Sequence, residues 1–360
     1  MKKLGGWLKR NWLHFVMILA LYLVAVVYFY PVTEGQTIKQ GDVTNWLGSA
    51  KDIKDHTETY GEEPLWSTGS FLGMSTENIS LGSKGDMFKY IPDIMTLGLP
   101  APANYLFLYF LSFYIMMVCF KSKPWVALVG ALAFGFSSYF IIILEAGHHT
   151  KAFAIGFMPL VIGGAYQIFR GKFWLGIGLS AMFMALNIRS HHPQITYYMG
   201  MILGFILLVE LISIIAKYVK EKDFKIIKRF LIGGVGLLVC YAFAFGVNYS
   251  RLAMIKEASE YTTRGPSQLT IDSNLKEIKD VKFEGMSKDY ITQWSYGIDE
   301  TFTLITPNVK GGGSNLLAND KELMKKAKKQ KLRALTSSAG QLRMMSYWGD
   351  QPFTSGPVYF

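Results

Sequence analysis

The chain has 360 residues, of which 51% are hydrophobic and 18% charged, with a formal net charge of +11 and a mean hydropathy of +0.23. A soluble domain carries roughly 25% charged residues, so this depletion, with the apolar residues blocked into long runs, excludes an ordinary soluble enzyme. The positive charge is no nucleic-acid signal, because most Lys and Arg stand in clusters beside apolar runs, where they set membrane topology; Cys119 and Cys240 both lie inside such runs, which excludes a disulfide framework and a cysteine zinc site.

The first apolar run, residues 13–32, follows Lys2, Lys3, Lys9 and Arg10 and closes on Tyr28-Phe29-Tyr30-Pro31. A cleavable signal peptide has the basic start but a shorter core and small residues at its end. The run reads as a retained helix with an interfacial aromatic belt.

A polar segment, residues 33–98, comes next. Within residues 42–57 the apolar positions Val43, Trp46, Leu47, Ala50 and Ile53 fall at helical spacing, with Lys51, Asp52, Lys54 and Asp55 on the remaining face. This predicts a juxtamembrane amphipathic helix lying in the membrane interface. Pro64-Leu65-Trp66 and Phe71-Leu72-Gly73-Met74 predict a tight turn with an exposed apolar edge.

Six further apolar runs follow at 99–120, 124–144, 152–169, 173–188, 195–216 and 230–249. With the first they predict about seven transmembrane helices, although the 173–188 run is barely long enough to span. One set of helix ends carries the amino-terminal cluster, Lys121, Lys123, Arg170, Lys172 and the basic segment 217–229, whereas the short connections of the other set hold little beyond Lys151 and Arg189. By the positive-inside rule the amino terminus is inside, and residues 33–98 and everything after 250 are outside.

The tail, residues 251–360, has mixed composition and predicts short aromatic strands at Tyr290-Ile291-Thr292-Gln293-Trp294 and Phe302-Thr303-Leu304-Ile305. Gly311-Gly312-Gly313-Ser314 lacks the Lys and helix a phosphate loop needs and reads as plain loop. The chain's last residues, Gly356-Pro357-Val358-Tyr359-Phe360, read as the approach to another span, so a longer native chain is expected. The fold class expected is thus an all-α polytopic membrane protein, residues 1–250, with a mixed α/β extracytoplasmic tail.

Ionisable residues collect at the outer ends of the spans. Asp42 follows the first, Glu145 to Lys151 joins the third and fourth, Arg189 to Gln194 joins the fifth and sixth, and Arg251 follows the seventh. Four of the six histidines belong to two of these turns, as His148-His149 and His191-His192. A cationic layer with a carboxylate suits an anionic ligand such as a phosphate at headgroup level, because Arg and Lys donate charge-assisted hydrogen bonds and a carboxylate or imidazole can move a proton. Each group also has a plainer role: Asp42 as a helix cap, Lys151 and Arg189 as snorkelling residues, the paired histidines as metal ligands. Glu210, alone among carboxylates inside a span, is either a relay group or a residue reaching the cytoplasmic interface.

Five strings then resemble YfhO-type bacterial membrane proteins, in the long version common in Bacteroidetes. They are Gly147-His148-His149-Thr150-Lys151, His192-Pro193-Gln194-Ile195-Thr196-Tyr197-Tyr198, Tyr261-Thr262-Thr263-Arg264-Gly265-Pro266-Ser267, Gln293-Trp294-Ser295-Tyr296-Gly297 and Tyr347-Trp348-Gly349-Asp350-Gln351-Pro352-Phe353. That family is similar to the GT-C class of integral-membrane glycosyltransferases. The resemblance implies transfer of a sugar from a polyprenyl-phosphate carrier to a glycan or lipid acceptor, outside the bacterial inner membrane, in the making of the cell envelope. It implies Asp42 as the catalytic base or metal-coordinating acid, and Lys151, Arg189, His192, Arg251 and Arg264 as holders of the lipid-linked phosphate. His148, Gln194 and Trp294 are further site residues, a divalent metal is the one cofactor in view, and membrane lipids but no nucleic acid are partners.

Two departures from the GT-C pattern stand. The first outer loop lacks a paired acidic motif directly after the span, since Glu34 and Asp42 are eight positions apart, and the doubled histidines are not uniform in the family. A lipid or polysaccharide transporter (flippase) and a non-catalytic envelope assembly protein are the alternative functions; inverted repeats and mid-membrane charges would mark the first, aromatic anchors such as Trp294 and Trp348 the second.

Overall fold

The computed structural model describes residues 2–69, 73–76, 79, 86–260, 302, 305–306 and 321–331. The chain divides into two compact units: Met1–Ile38, Lys84–Leu144 and His148–Tyr249 form the first, and Lys39–Ser83, Glu145–Gly147 and Ser250–Phe360 the second.

The first unit is helical. It contains α1 (Lys2–Tyr28), α2 (Tyr30–Thr33), a 3-10 turn (Met87–Lys89), α5 (Tyr90–Met95), α6 (Ala103–Cys119), α7 (Pro124–Gly135), α9 (His149–Phe169), α10 (Phe173–Arg189), α11 (Pro193–Glu221) and α12 (Phe224–Val247), with most of α8 (Ser138–Ala146). Residues 6–28 of α1, and α9, α11 and α12, are each long and apolar enough to cross a membrane. The pair α7 and α8, bent by 49°, passes the same test together, giving up to five spans among the described residues. This is an α-helical membrane protein. All seven apolar runs of the sequence form helix, but α6 and α10 have only 17 residues each, short of the roughly 20 that a span requires.

Hydrophobic runs look alike in sequence, yet the structure sorts them. α6 and α9 sit at the centre, and α6 packs against α1, α5, α7 and α9. Leu106, Leu108, Tyr109 and Phe110 of α6 are completely buried. α11 and α12 lie at the edge, where Phe205, Leu208, Val209, Val235 and Leu238 are exposed. In lipid, hydrocarbon is no less apolar than leucine, so helices associate through close packing and hydrogen bonds. Both are present. Gly164 and Gly176 let α9 and α10 touch backbone to backbone; a Cβ on Gly176 would lie 2.6 Å from the Gly164 carbonyl oxygen. Gln167 donates to the Cys119 carbonyl at 3.0 Å, Asn187 to the Ala154 carbonyl at 2.8 Å and Asn248 to the Ala185 carbonyl at 3.1 Å. Such bonds are worth about 0.6–2 kcal/mol each in a membrane.

The break between α7 and α8 falls at Gly135-Phe136-Ser137, residues that weaken a helix, as kinks at Gly and Ser commonly do. Gly135 also presses closely on α6, since a Cβ there would stand 2.4 Å from the Phe110 ring.

The second unit contains α3 (Gly41–Ser49), α4 (Lys51–Tyr60), the strands β1 (Trp66–Ser67) and β2 (Met74–Ser75), most of α13 (Tyr249–Ser259), and α14 (Lys321–Lys329). The single amphipathic helix expected over 42–57 is two helices that meet at Ala50, whose φ of −91° and ψ of −1° leave the helical well. Gly48 and Ser49, both poor helix formers, precede the break. Its apolar face divides accordingly: Ala50 and Ile53 are buried, while Trp46 and Leu47 remain exposed. The expected turn after Trp66 closes an antiparallel pair, Trp66 opposite Ser75 and Ser67 opposite Met74. Asp52 joins α4 to it, accepting from the Ser67 hydroxyl at 2.6 Å, a bond that holds the carboxyl below its ordinary range.

In the tail, the described ends of the strand expected at 302–305 are not extended: the N–H groups of Ile305 and Thr306 both donate to the Phe302 carbonyl. The strand at 290–294, the glycine string at 311–314 and the motifs at 261–267, 293–297 and 347–353 lie outside the described residues.

Candidate functional site: two histidine turns and a buried lysine

Two helix starts of the first unit carry the site. α9 begins after Gly147, whose φ of +92° only glycine adopts easily. The His148 amide donates to the Ile143 carbonyl and its own carbonyl accepts from Ala152, so His148 is the residue that opens the helix. His149, the next residue, turns its ring onto Tyr105 at 4.9 Å.

α11 begins in the same way after a left-handed residue, here His191 with φ +54°. His192 opens the helix and Pro193 follows at the first helical position, where a missing N–H costs nothing. The doubling of the histidines thus has a local reason in each turn. One imidazole of each pair, His148 and His192, stands at a helix start, and neither helix start is capped by a side chain.

Lys151 lies in the first turn of α9 and is only 1% exposed. It acts electrostatically on both histidines. Burial, then Lys151, then His149 lower the His148 imidazole from its ordinary value to about 4. Burial, then Lys151, then His148 lower His192 to about 4 as well. Both rings are therefore neutral at pH 7, and a neutral imidazole can donate one hydrogen bond and accept another. Nε2 of His192 is buried with no hydrogen-bond partner among the described residues.

A polar strut holds these turns together. Asn187, completely buried on α10, donates to the Ala154 carbonyl of α9 and accepts from the Thr196 hydroxyl of α11, both at 2.8 Å. Three helices are thereby pinned one turn below the histidines. Sequence reading missed Asn187 and Thr196, although a lone amide inside the 173–188 apolar run is itself a signal, since buried amides need partners.

Of the other site residues expected from sequence, Arg189 is engaged by a carboxylate: its Nε donates to Asp86 Oδ2 at 2.6 Å. Asp86 also caps the 3-10 turn, accepting from the Phe88 amide at 2.9 Å. Gln194 donates to the Tyr198 hydroxyl at 2.8 Å, one turn along the exposed side of α11. In the second unit, Asp42 is not a helix cap. Gln40 occupies that position, and Asp42 sits half-buried in the first turn of α3, where its charge complements the helix dipole. The start of α3 lies against the Glu145–Gly147 turn, for a Cβ on Gly147 would come within 3.0 Å of Gln40 and Val43. Arg251 is half-buried on α13. Arg264 and Trp294 lie outside the described residues.

Among the described residues no group of three or more His, Cys, Asp or Glu is arranged to hold a metal ion. The two helix-opening histidines, each acted on by the charge of Lys151, are a poor donor set for a divalent cation, because an ammonium repels it. The cluster fits an anion: positive charge, two imidazoles and two helix amino termini meet there.

No protein-family model, no curated protein and no solved structure matches this chain.

Proposed function

We propose that this chain is a GT-C-like membrane glycosyltransferase of YfhO type, acting on a polyprenyl-phosphate-linked sugar at the extracytoplasmic face of a bacterial inner membrane. The observation that carries the reading is Lys151, a lysine 1% exposed at a helix start, coupled to the helix-opening imidazoles of His148 and His192. A lysine ammonium and imidazole N–H groups both donate to a phosphate oxyanion, and helix amino termini add positive potential. Lys151 holds the phosphate of the carrier, His192 donates from its buried ring nitrogen, and the dipoles of α9 and α11 add to both.

In this reading seven helices cross the membrane with the amino terminus inside, α6 and α10 being the two short ones. Asp42 is the base that takes the acceptor's proton. Its support is its place after the first span, in the first turn of a helix whose start packs on the Glu145–Gly147 turn. Arg251 and Arg264 are further phosphate holders on the strength of the family resemblance alone, and the acceptor is a glycan or lipid.

The test is transfer of labelled sugar from a polyprenyl-phosphate donor by purified protein in proteoliposomes. Asp42→Asn is expected to abolish transfer while leaving binding of the donor intact, and Lys151→Met to abolish binding. Full transfer by both variants overturns the reading.

The 49° bend between α7 and α8 favours a second reading, a flippase for the same lipid-linked substrate, because broken helices are a mark of transporters. Donor flux across the bilayer that persists without any acceptor selects it.

A further inference from the structure

A second site lies at the opposite end of α9 and α11 from the histidine turns. Glu210 stands about 27 Å along α11 from His192, at 1.5 Å of rise per residue. There α9, α11 and α12 do not close on one another. They leave an apolar groove that is partly open to the surroundings. Its walls include Tyr166 and Phe169 of α9, Leu203 and Leu207 of α11 and Leu237 of α12. At one end sits the pair Arg170 and Glu210, with nitrogen-to-oxygen distances of 3.4 and 3.5 Å.

We infer that this groove binds one acyl chain of an anionic phospholipid, with the lipid phosphate held at Arg170. Three observations carry this. The walls are hydrocarbon and aromatic, so water finds no partners inside. The outer wall is α11, a span-length helix whose other side is exposed, so the medium at that depth is lipid and an unfilled groove forfeits dispersion contacts.

The third observation is charge. Arg170 and Glu210 cancel, but Lys121 directly follows the groove residue Phe120, and Lys172 comes two residues after Arg170. The chain around the mouth therefore carries more cations than carboxylates, the sign that a phosphodiester's single negative charge requires. The Arg170 guanidinium lies over the Tyr166 ring, 5.0 Å from its centroid, while its side chain stays 44% exposed. Basic pockets between transmembrane helices commonly take anionic headgroups.

The experiment is native mass spectrometry of the full chain released from nanodiscs holding equal phosphatidylglycerol and phosphatidylcholine. The wild type is expected to retain one phosphatidylglycerol. Leu207→Trp, which fills the groove, reduces retention about tenfold, the effect of losing roughly two buried methylenes; Leu237→Phe serves the same purpose should Leu207→Trp fail to fold. Arg170→Gln keeps a lipid but loses the preference for phosphatidylglycerol. Leu238→Trp, on the exposed side of α12, changes nothing. Equal retention by the wild type and both groove-filling variants, or no preference between the two lipids in the wild type, overturns the assignment.

Discussion

The Nε–H of Arg189 donates to Oδ2 of Asp86 at 2.6 Å, joining the last residue of α10 to the cap of a 3-10 turn 103 residues earlier. Neither side chain is fully buried, with exposures of 29% and 18%, so the pair is screened only in part. Asp86→Asn is expected to lower stability by about 1.5–3 kcal/mol, the range for a hydrogen bond to a charged group. In a double-mutant cycle with Arg189→Gln the two losses fall short of additive. Thermal unfolding in detergent measures both.

Lys151→Met exchanges a buried cation for an apolar chain of similar length. Folding stability should fall, because removing one member of a set of interacting buried groups leaves the others uncompensated. Affinity for a polyprenyl phosphate should fall by about 10- to 100-fold, the loss of one charge-assisted hydrogen bond. Isothermal calorimetry and a melting curve on the same variant separate the two effects.

His148 and His192 are held near pKa 4, against an ordinary value of 6.5. Between these values the unfolded chain binds protons that the folded chain does not. Stability supplied by the neutral rings is therefore complete above pH 6.5 and is lost as pH falls toward 4. A bound phosphate reverses the sign, since it favours the charged imidazole. Binding should strengthen as pH drops from 7 toward 5 and take up protons. Calorimetry at pH 6 in two buffers of different ionisation enthalpy reads the uptake, and His192→Gln should diminish it.

Asn187→Leu removes the strut between α9, α10 and α11 and leaves the Thr196 hydroxyl and Ala154 carbonyl without it. The expected cost is about 1–3 kcal/mol, since the Thr196 hydroxyl keeps only its longer bond to the His192 carbonyl at 3.4 Å. Substrate affinity should fall as well, because the turns that carry His148 and His192 lose their common anchor. Thr196→Val is expected to give a smaller loss of the same kind, with both effects read from melting curves and calorimetry.

Much of this was legible in the chain itself. Apolar runs of span length dictate helices whatever their surroundings, because backbone groups in lipid must bond within their own segment. The turns at Gly147 and His191 were marked by Gly-His and His-Pro steps, and that is why His148 and His192 could be singled out. The break at Ala50 was not legible, because the apolar spacing from Val43 to Ile53 continues unbroken across it. Asp86 was missed since nothing local ties it to Arg189.

The sequence by itself determined that the chain is helical and membrane-borne, and that its ionisable residues stand at the ends of apolar runs. Both follow from composition and period, which act locally. Only the tertiary structure decided which apolar helices are central and which face lipid, since α6 and α11 are both apolar runs in sequence, yet one is buried and the other largely exposed. It also decided that Lys151 is buried beside His148 and His192 while Arg189 is spent on Asp86. Those pairings join residues tens of positions apart, and the packing of whole helices, through contacts such as Gly164 on Gly176 and Asn187 on Ala154, brings them together.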